Sequence, residues 1–258
     1  MMKTLYLDLS MGAAGDMLTA ALYELLDDDG RKEFLEAVNG LGLSDVEVRT
    51  RKVEKCGVTG TSVDVLINGR MEDEHHHHED HEHKHEHEHS HHSMDDISLI
   101  IDGLRASGEV KNKAKEIYKV IAQAESTAHG VPVSEVHFHE VGAVDAIVDV
   151  TSVCILMEML APDRVFATDI CVGYGTVECA HGILPVPAPA TANILKGLPA
   201  YPGETEGEMC TPTGAALIRS FVDEFGTLPS AVPDRTGHGM GKRDYGVSSA
   251  LSAFIMTT

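Results

Sequence analysis

The chain is short of positive charge: its 258 residues carry 20 Lys and Arg against 41 Asp and Glu, a formal net charge of −21. A surface of that sign repels phosphate backbones and anionic headgroups, which argues against nucleic acid and anionic membranes as partners and favours solubility and attraction of cations. Cysteine is scarce as well. Cys56, Cys154, Cys171, Cys179 and Cys210 are odd in number and no pair has CxxC spacing, so neither a disulfide framework nor a zinc ribbon is expected. Cys154 lies in an apolar run and reads as core, while Cys171, Cys179 and Cys210 are candidate soft ligands. Long apolar runs are missing too. Val141 to Leu160 approaches membrane length, but Asp145, Asp149 and Glu158 interrupt it. No basic segment followed by an apolar stretch precedes the first strand, and a cytoplasmic location is expected. The 43% apolar content fits a globular protein of one large domain or two small ones.

What the chain has in excess is histidine in one place. His75, His76, His77, His78, His81, His83, His85, His87, His89, His91 and His92 fall within eighteen residues, with Glu79, Asp80, Glu82, Glu86 and Glu88 threaded among them. Neutral imidazole suits nickel, zinc, copper and iron. With an unperturbed pKa of about 6.5, much of the run is ligand-competent near neutral pH. Carboxylates between the rings reduce repulsion among bound cations. A purification tag would sit at a terminus and would not be laced with acids; a solvated linker or a pH sensor are the plainer alternatives. Residues 71 to 92 hold eight acids and one lysine, a third of the net charge. Almost no apolar residue is present, so the arm is expected to be disordered without metal and cannot be a catalytic site. Flexible ligands select metals by availability and the Irving–Williams order, which places nickel above manganese and iron. The run therefore reads as a metal store or delivery arm.

Chemistry must come from the rest of the chain, which reads as α/β with a mixed sheet and flanking helices. Residues 1–70 form a strand–helix–hairpin part of the core, 71–93 the arm, 94–246 the remainder of the core, and 247–258 a tail. Thr4 to Leu9 is a short buried strand. The turn Ser10 to Asp16 follows, and Met17, Leu18, Ala21, Leu22, Leu25 and Leu26 then recur at helical spacing. A strand, a glycine turn and a helix start make an anion site, although the pattern is neither GxGxxG nor Walker A. Asp8 and Asp16 bracket the turn with carboxylates that suit a hard cation or an amine. The alternative is an ordinary tight connection. Val46 to Val53 and Thr61 to Ile67 alternate as a hairpin or neighbouring strands. Asp95 to Leu104 and Glu109 to His129 read as helices, the second capped by Ser107 with a core-facing stripe.

His137 and His139 project to the same side of an extended segment, and Asp145 and Asp149 share a face of the helix expected from Val141 to Leu160. With Glu140, these groups can converge on one cation. Two aspartates in an apolar helix are costly without a partner; the plainer alternative is a helix start with satisfied acids. Farther on come a strand from Arg164 to Val172, a Gly-rich loop through Ala180-His181-Gly182, a Pro-opened helix to Lys196, and a helix from Ala215 to Phe225. Asp234 to Gly246 is a Gly-rich connection that leads to little more than a short strand. Several loops feeding helix starts suggest a ligand cleft at one edge of the sheet.

Asp8 to Met17, His137 to Asp145, Ala180-His181-Gly182 with Pro185 to Thr191, and Thr211 to Ala216 resemble the LarC family, the nickel-insertion proteins of the nickel-pincer nucleotide pathway that supplies lactate racemase. The internal His-rich arm is also a trait of that family. The resemblance implies a CTP-dependent cyclometallase that places nickel in pyridinium-3,5-bisthiocarboxylic acid mononucleotide, held by two sulfurs and one ring carbon. On this expectation the arm collects nickel and His137, His139, Asp145 and Asp149 pass or hold it. His137, His139, Glu140, Asp145 and His181 form the catalytic set. Gly12, Gly15, Asp16, Thr211, Thr213 and Gly214 bind phosphate or carboxylate groups. Full-length members continue into a domain to which CTP binding, with a divalent cation, is assigned. The chain thus reads as an N-terminal part that is active once a C-terminal part joins it, with lactate racemase and a second copy as further partners. A nickel store or delivery chaperone without catalysis is the alternative. A hydrolase built on the His-x-His pair and Asp145 would need further His ligands and a general base.

Overall fold

The computed structural model describes residues 2–71, 92–138, 141–227 and 232–257. The arm from residue 72 to 91, and with it His75 to His91, lies outside the described residues, as do His139 and Glu140. The strands are β1 (Lys3–Asp8), β2 (Val46–Lys55), β3 (Val58–Ile67), β4 (Arg70–Met71), β5 (Arg164–Ala167), β6 (Ile170–Cys171), β7 (Gly173–Tyr174), β8 (Thr176–Cys179), β9 (Gly182–Pro185), β10 (Ala200–Tyr201), β11 (Gly207–Glu208), β12 (Glu224–Phe225), β13 (Arg235–Met240) and β14 (Ala250–Thr257). The helices are α1 (Gly15–Glu24), α2 (Asp28–Asn39), α3 (Met94–Gly103), α4 (Gly108–His129), α5 (Val144–Leu160), α6 (Pro189–Ile194) and α7 (Pro212–Phe221).

The main sheet runs β12-β5-β1-β14-β13-β3-β2, with β4 paired to β3. It is mixed, as expected: β1 is parallel to β5 and antiparallel to β14, and β13 is parallel to β3. The β2–β3 hairpin turns at Cys56 and Gly57, both at positive φ, the geometry whose twist matches flanking strands. Short two-stranded pairs, β10-β6, β11-β7 and β8-β9, carry the long excursion after β5.

Two readings change here. The short strand expected beyond the glycines is β14, which pairs β1 on one side and β13 on the other, and the Gly-rich connection itself forms β13. Its glycines are not an unfinished connection. A Cβ on Gly237 would lie 2.2 Å from the Ala21 carbonyl oxygen, and one on Gly239 1.9 Å from that of Met17. Bare backbone lets α1 lie directly on β13. The second change is α2, which the spacing did not announce. Asp27 caps it by accepting from the Gly30 N–H at 2.8 Å, and Phe34 and Val38, one turn apart, bury its inner face.

Helix α5 is buried nearly all round, which explains its lack of an amphipathic stripe. It starts at Val144 rather than Val141, so Asp145 falls in its first turn. Buried Tyr118 of α4 donates to the Val141 carbonyl at 3.1 Å and packs edge-on against Phe138. That contact anchors the turn ahead of α5.

Candidate functional site

Three helix starts meet beside the C-terminal end of β1. Gly12, at φ +87°, turns the chain sharply. Ala13 then donates to the Met209 carbonyl and accepts from the Thr211 N–H, both at 3.0 Å. A Cβ on Gly12 would stand 1.9 Å from the Met209 oxygen, and one on Gly214 2.1 Å from the Ala13 oxygen. Glycine at both places is what allows the starts of α1 and α7 to touch. Thr211 caps α7, accepting from the Gly214 N–H at 3.1 Å, and its hydroxyl lies 3.1 Å from that of Thr213. The loops Gly12–Asp16 and Thr211–Gly214, far apart in sequence, therefore form one cradle at two positive dipole ends, a setting suited to an anionic group.

Helix α5 supplies the acids. A Cβ on Gly15 would come within 2.8 Å of the Asp149 Oδ2, so the start of α1 sits on this carboxyl. Burial raises the Asp149 carboxyl well above the usual carboxylate range, and the charges of Asp16 and Asp145 add to the rise. Lys242 opposes it. Buried Asp16 accepts from the Met17 N–H at 2.8 Å and Asp145 from that of Ala146 at 2.7 Å. Burial, then Asp145 and Asp149, likewise raise the Tyr118 hydroxyl. Once ionised, a carboxyl whose proton affinity is raised by burial and by two neighbouring acids is a stronger base than an exposed one.

Lys242 is the residue that sequence reasoning missed. Its signal was present: a basic pair, Lys242-Arg243, inside the Gly-rich stretch of an acidic chain. The loop is fixed by Tyr245, whose hydroxyl donates to the Glu208 carbonyl at 2.7 Å, by Arg243, 3.6 Å from the Glu208 carboxylate, and by Lys55, which donates to the carbonyls of Gly241 and Arg243. Glu208 directly precedes Met209, the residue that holds Ala13.

The histidines divide into two places. Exposed His137 lies where the arm rejoins the body: Phe138 donates its N–H to the His92 carbonyl at 3.0 Å. Both rings act on Asp96, whose carboxyl is held low first by the Ser93 hydroxyl and backbone N–H, and also by His92 and His137. His181, in the β8–β9 turn, stands instead against the C-terminal end of α4, its ring centroid 4.9 Å from that of His129. Among the described residues no three His, Cys, Asp or Glu side chains are grouped closely enough to hold a metal. The structure thus does not draw His137, Asp145 and Asp149 into one closed set. Cys154, Cys171 and Cys210 are buried. Burial pushes the Cys154 thiol up to about 12 and raises that of Cys210, which disfavours the thiolate that a soft metal requires. No helix among the described residues is long and apolar enough to cross a membrane.

The profile of the nickel insertion protein family matches residues 5–258. The chain belongs to this family. Among its relatives, the pyridinium-3,5-bisthiocarboxylic acid mononucleotide nickel insertion protein of Clostridium kluyveri is 42% identical over 258 residues, covering 98% of this chain and 62% of that protein. The protein of the same name from Geobacillus kaustophilus is 41% identical, over 94% of this chain and 57% of its own length. That of Desulfitobacterium hafniense is 40% identical, over 97% and 57%. The chain thus spans about three fifths of the length of these nickel insertion proteins. No solved structure matches it.

Proposed function

We propose that this chain is the nickel-handling part of a cyclometallase acting on pyridinium-3,5-bisthiocarboxylic acid mononucleotide. The observation that carries the reading is the meeting of an anion cradle with a raised carboxyl: Gly214 on Ala13, and Gly15 on Asp149. The substrate phosphate sits at the starts of α1 and α7, with Lys242 as counter-charge. Nickel is cargo. It passes from the arm at His92 to His137, which with His139 and Asp145 leads it toward the substrate. The two thiocarboxylate sulfurs bind it, and the nickel–carbon bond forms as the ring carbon loses its proton. Asp149, with Asp16 and Asp145 beside it, accepts that proton; the metal takes the electron pair of the broken C–H bond, and no oxidant or reductant enters.

CTP with a divalent cation, a C-terminal part as a separate or fused chain, lactate racemase as recipient, self-association and a cytoplasmic setting belong to this reading through the family resemblance. Glu140 and His181 enter it on the same ground. The test is binding of the mononucleotide by calorimetry. Lys242→Ala is expected to weaken it about tenfold, the size of one charge-assisted contact to phosphate. Unchanged affinity would remove the cradle from the reading.

A further inference from the structure

We infer that Arg243 positions the reacting end of the substrate: its guanidinium takes the oxygen of a ring thiocarboxylate and leaves the sulfur turned toward the metal. The inference rests on the substrate proposed above and adds to it the group that orients the sulfur.

Arg243 follows Lys242 on a loop whose backbone is fixed at several points. Lys55 of β2 donates to the Gly241 carbonyl at 2.7 Å and to that of Arg243 at 2.6 Å. The Asp244 carboxylate accepts from the Gly246 N–H at 2.9 Å. Tyr245 donates to the Glu208 carbonyl, and its ring lies over Gly207, where an added Cβ would come within 2.7 Å of Cε1. A side chain carried on such a loop is aimed before the ligand arrives. The two cations serve different neighbours. Lys242 acts on Asp149. Arg243 stands beside Glu208, with its Nη1 3.6 Å from the carboxylate. The Glu208 side chain is 9% exposed and that of Arg243 57%, so a ligand can reach the guanidinium while Glu208 steadies it.

The spacing decides which part of the substrate Arg243 meets. Glu208 pairs with Gly173, Cys210 bridges to Ala13, and Thr211 follows in extended conformation. From Glu208 to the Thr211 cap is about 10 Å along such a segment. With the phosphate at the start of α7, the ribose and the pyridinium ring fill that interval and the ring substituents come to Arg243. Two thiocarboxylates give the substrate a second anionic end, in surroundings that already hold Asp16, Asp145, Asp149 and Glu208. A cation there offsets the like-charge repulsion. A thiocarboxylate is planar and lopsided: its oxygen is the strong hydrogen-bond acceptor, its sulfur a weak one and a soft metal ligand. The planar guanidinium fork therefore holds the oxygen. That stops rotation about the bond to the ring with the sulfur facing the carbon between the two groups, where nickel enters. A lysine would supply charge without this orientation.

The test is calorimetry on the full chain without metal, using two ligands. One is the 3,5-dicarboxylate analogue of the mononucleotide. The other is nicotinamide mononucleotide, which shares the phosphate, ribose and pyridinium ring but has no carboxylate. Arg243→Gln is expected to weaken the dicarboxylate about tenfold or more, the size of a charge-assisted pair, and to leave nicotinamide mononucleotide within about twofold. Arg243→Lys is expected to recover part of the loss. Lys242→Ala is expected to weaken both ligands alike, through the phosphate they share. Far-ultraviolet circular dichroism checks that each variant is folded. Equal losses for the two ligands in Arg243→Gln would mean that Arg243 only holds Glu208 and the loop, and loss for neither would mean that it meets no ligand; either result overturns the inference and leaves the cradle standing. Failure of the unaltered chain to bind either ligand would bring down the substrate reading itself, and the inference with it.

Discussion

Replacing Gly214 by alanine tests the cradle through its backbone, because two ordinary expectations then oppose each other. Gly214 is in the first turn of α7, and helical Gly→Ala normally stabilises by about 1 kcal/mol. Here the new methyl would lie 2.1 Å from the Ala13 oxygen, 2.5 Å from its carbonyl carbon and 2.9 Å from the Ala14 nitrogen. All three atoms are backbone, so no side chain can swing away. Relief requires α7 and the start of α1 to part, which strains the bonds from Ala13 to Met209 and from Thr211 to Ala13. Each is worth about 1 kcal/mol, and overpacking adds about 1–3 kcal/mol. The net loss is about 2–4 kcal/mol, or about 5–12 °C in Tm for a chain of this size. Gly108→Ala is the control: it stands in the first turn of α4 with nothing within 4 Å of the added Cβ, and Tm should hold or rise. Thermal unfolding followed by circular dichroism measures both. An unchanged or higher Tm for Gly214→Ala would mean that the two helix starts are not locked together as described.

Three further outcomes are expected. Asp149→Asn should raise stability at neutral pH. The folded carboxyl is raised above its ordinary value of 3.8, so the native state loses stability as pH climbs from near that value through the folded one; the amide should flatten that fall, as read from Tm between pH 3.5 and 8. Glu24→Gln should have the opposite sign. Burial raises Glu24, but bonds from Lys52, from the Thr61 hydroxyl at 2.6 Å and from the His238 N–H at 2.9 Å outweigh it and hold the carboxyl below 4.5. Its contribution is present above that value and is lost as pH falls through the folded one, so the variant should lose about 1–2 kcal/mol at pH 7 and little in acid, by urea titration. Removing residues 72–91 should leave the insertion rate at saturating nickel within about twofold while raising the nickel needed for half the rate. Complete loss at every nickel concentration would favour a delivery chaperone.

The sheet class, the hairpin and helix α4 were legible because their residues repeat at the period of the element they form, and α5 because it is a long apolar run. Legible too were the glycine turn at Gly12 and the Gly- and Thr-containing loop ahead of α7, each a local signal, although α7 begins at Pro212 rather than at the expected Ala215. Their contact with one another was not, since it rests on where two distant glycines leave room for a carbonyl. The same blindness hid β13: Gly237 and Gly239 look like a flexible connection until α1 is seen lying on them. Lys242 was overlooked because its role depends on Asp149, ninety-three residues earlier. His181 was assigned by resemblance to the catalytic set, and its neighbour His129 could not be found from spacing alone.

The measurement that bears most directly on the central claim is nickel insertion itself. The chain, joined by a C-terminal part, is supplied with the mononucleotide, CTP, a divalent cation and nickel(II), and the product is weighed by mass spectrometry. The account predicts a product heavier by one nickel and lighter by the ring proton, formed by the unaltered chain and reduced at least a hundredfold by Asp149→Asn at saturating nickel. Insertion by Asp149→Asn at the unaltered rate would contradict it and move proton removal away from the carboxylates at the start of α1.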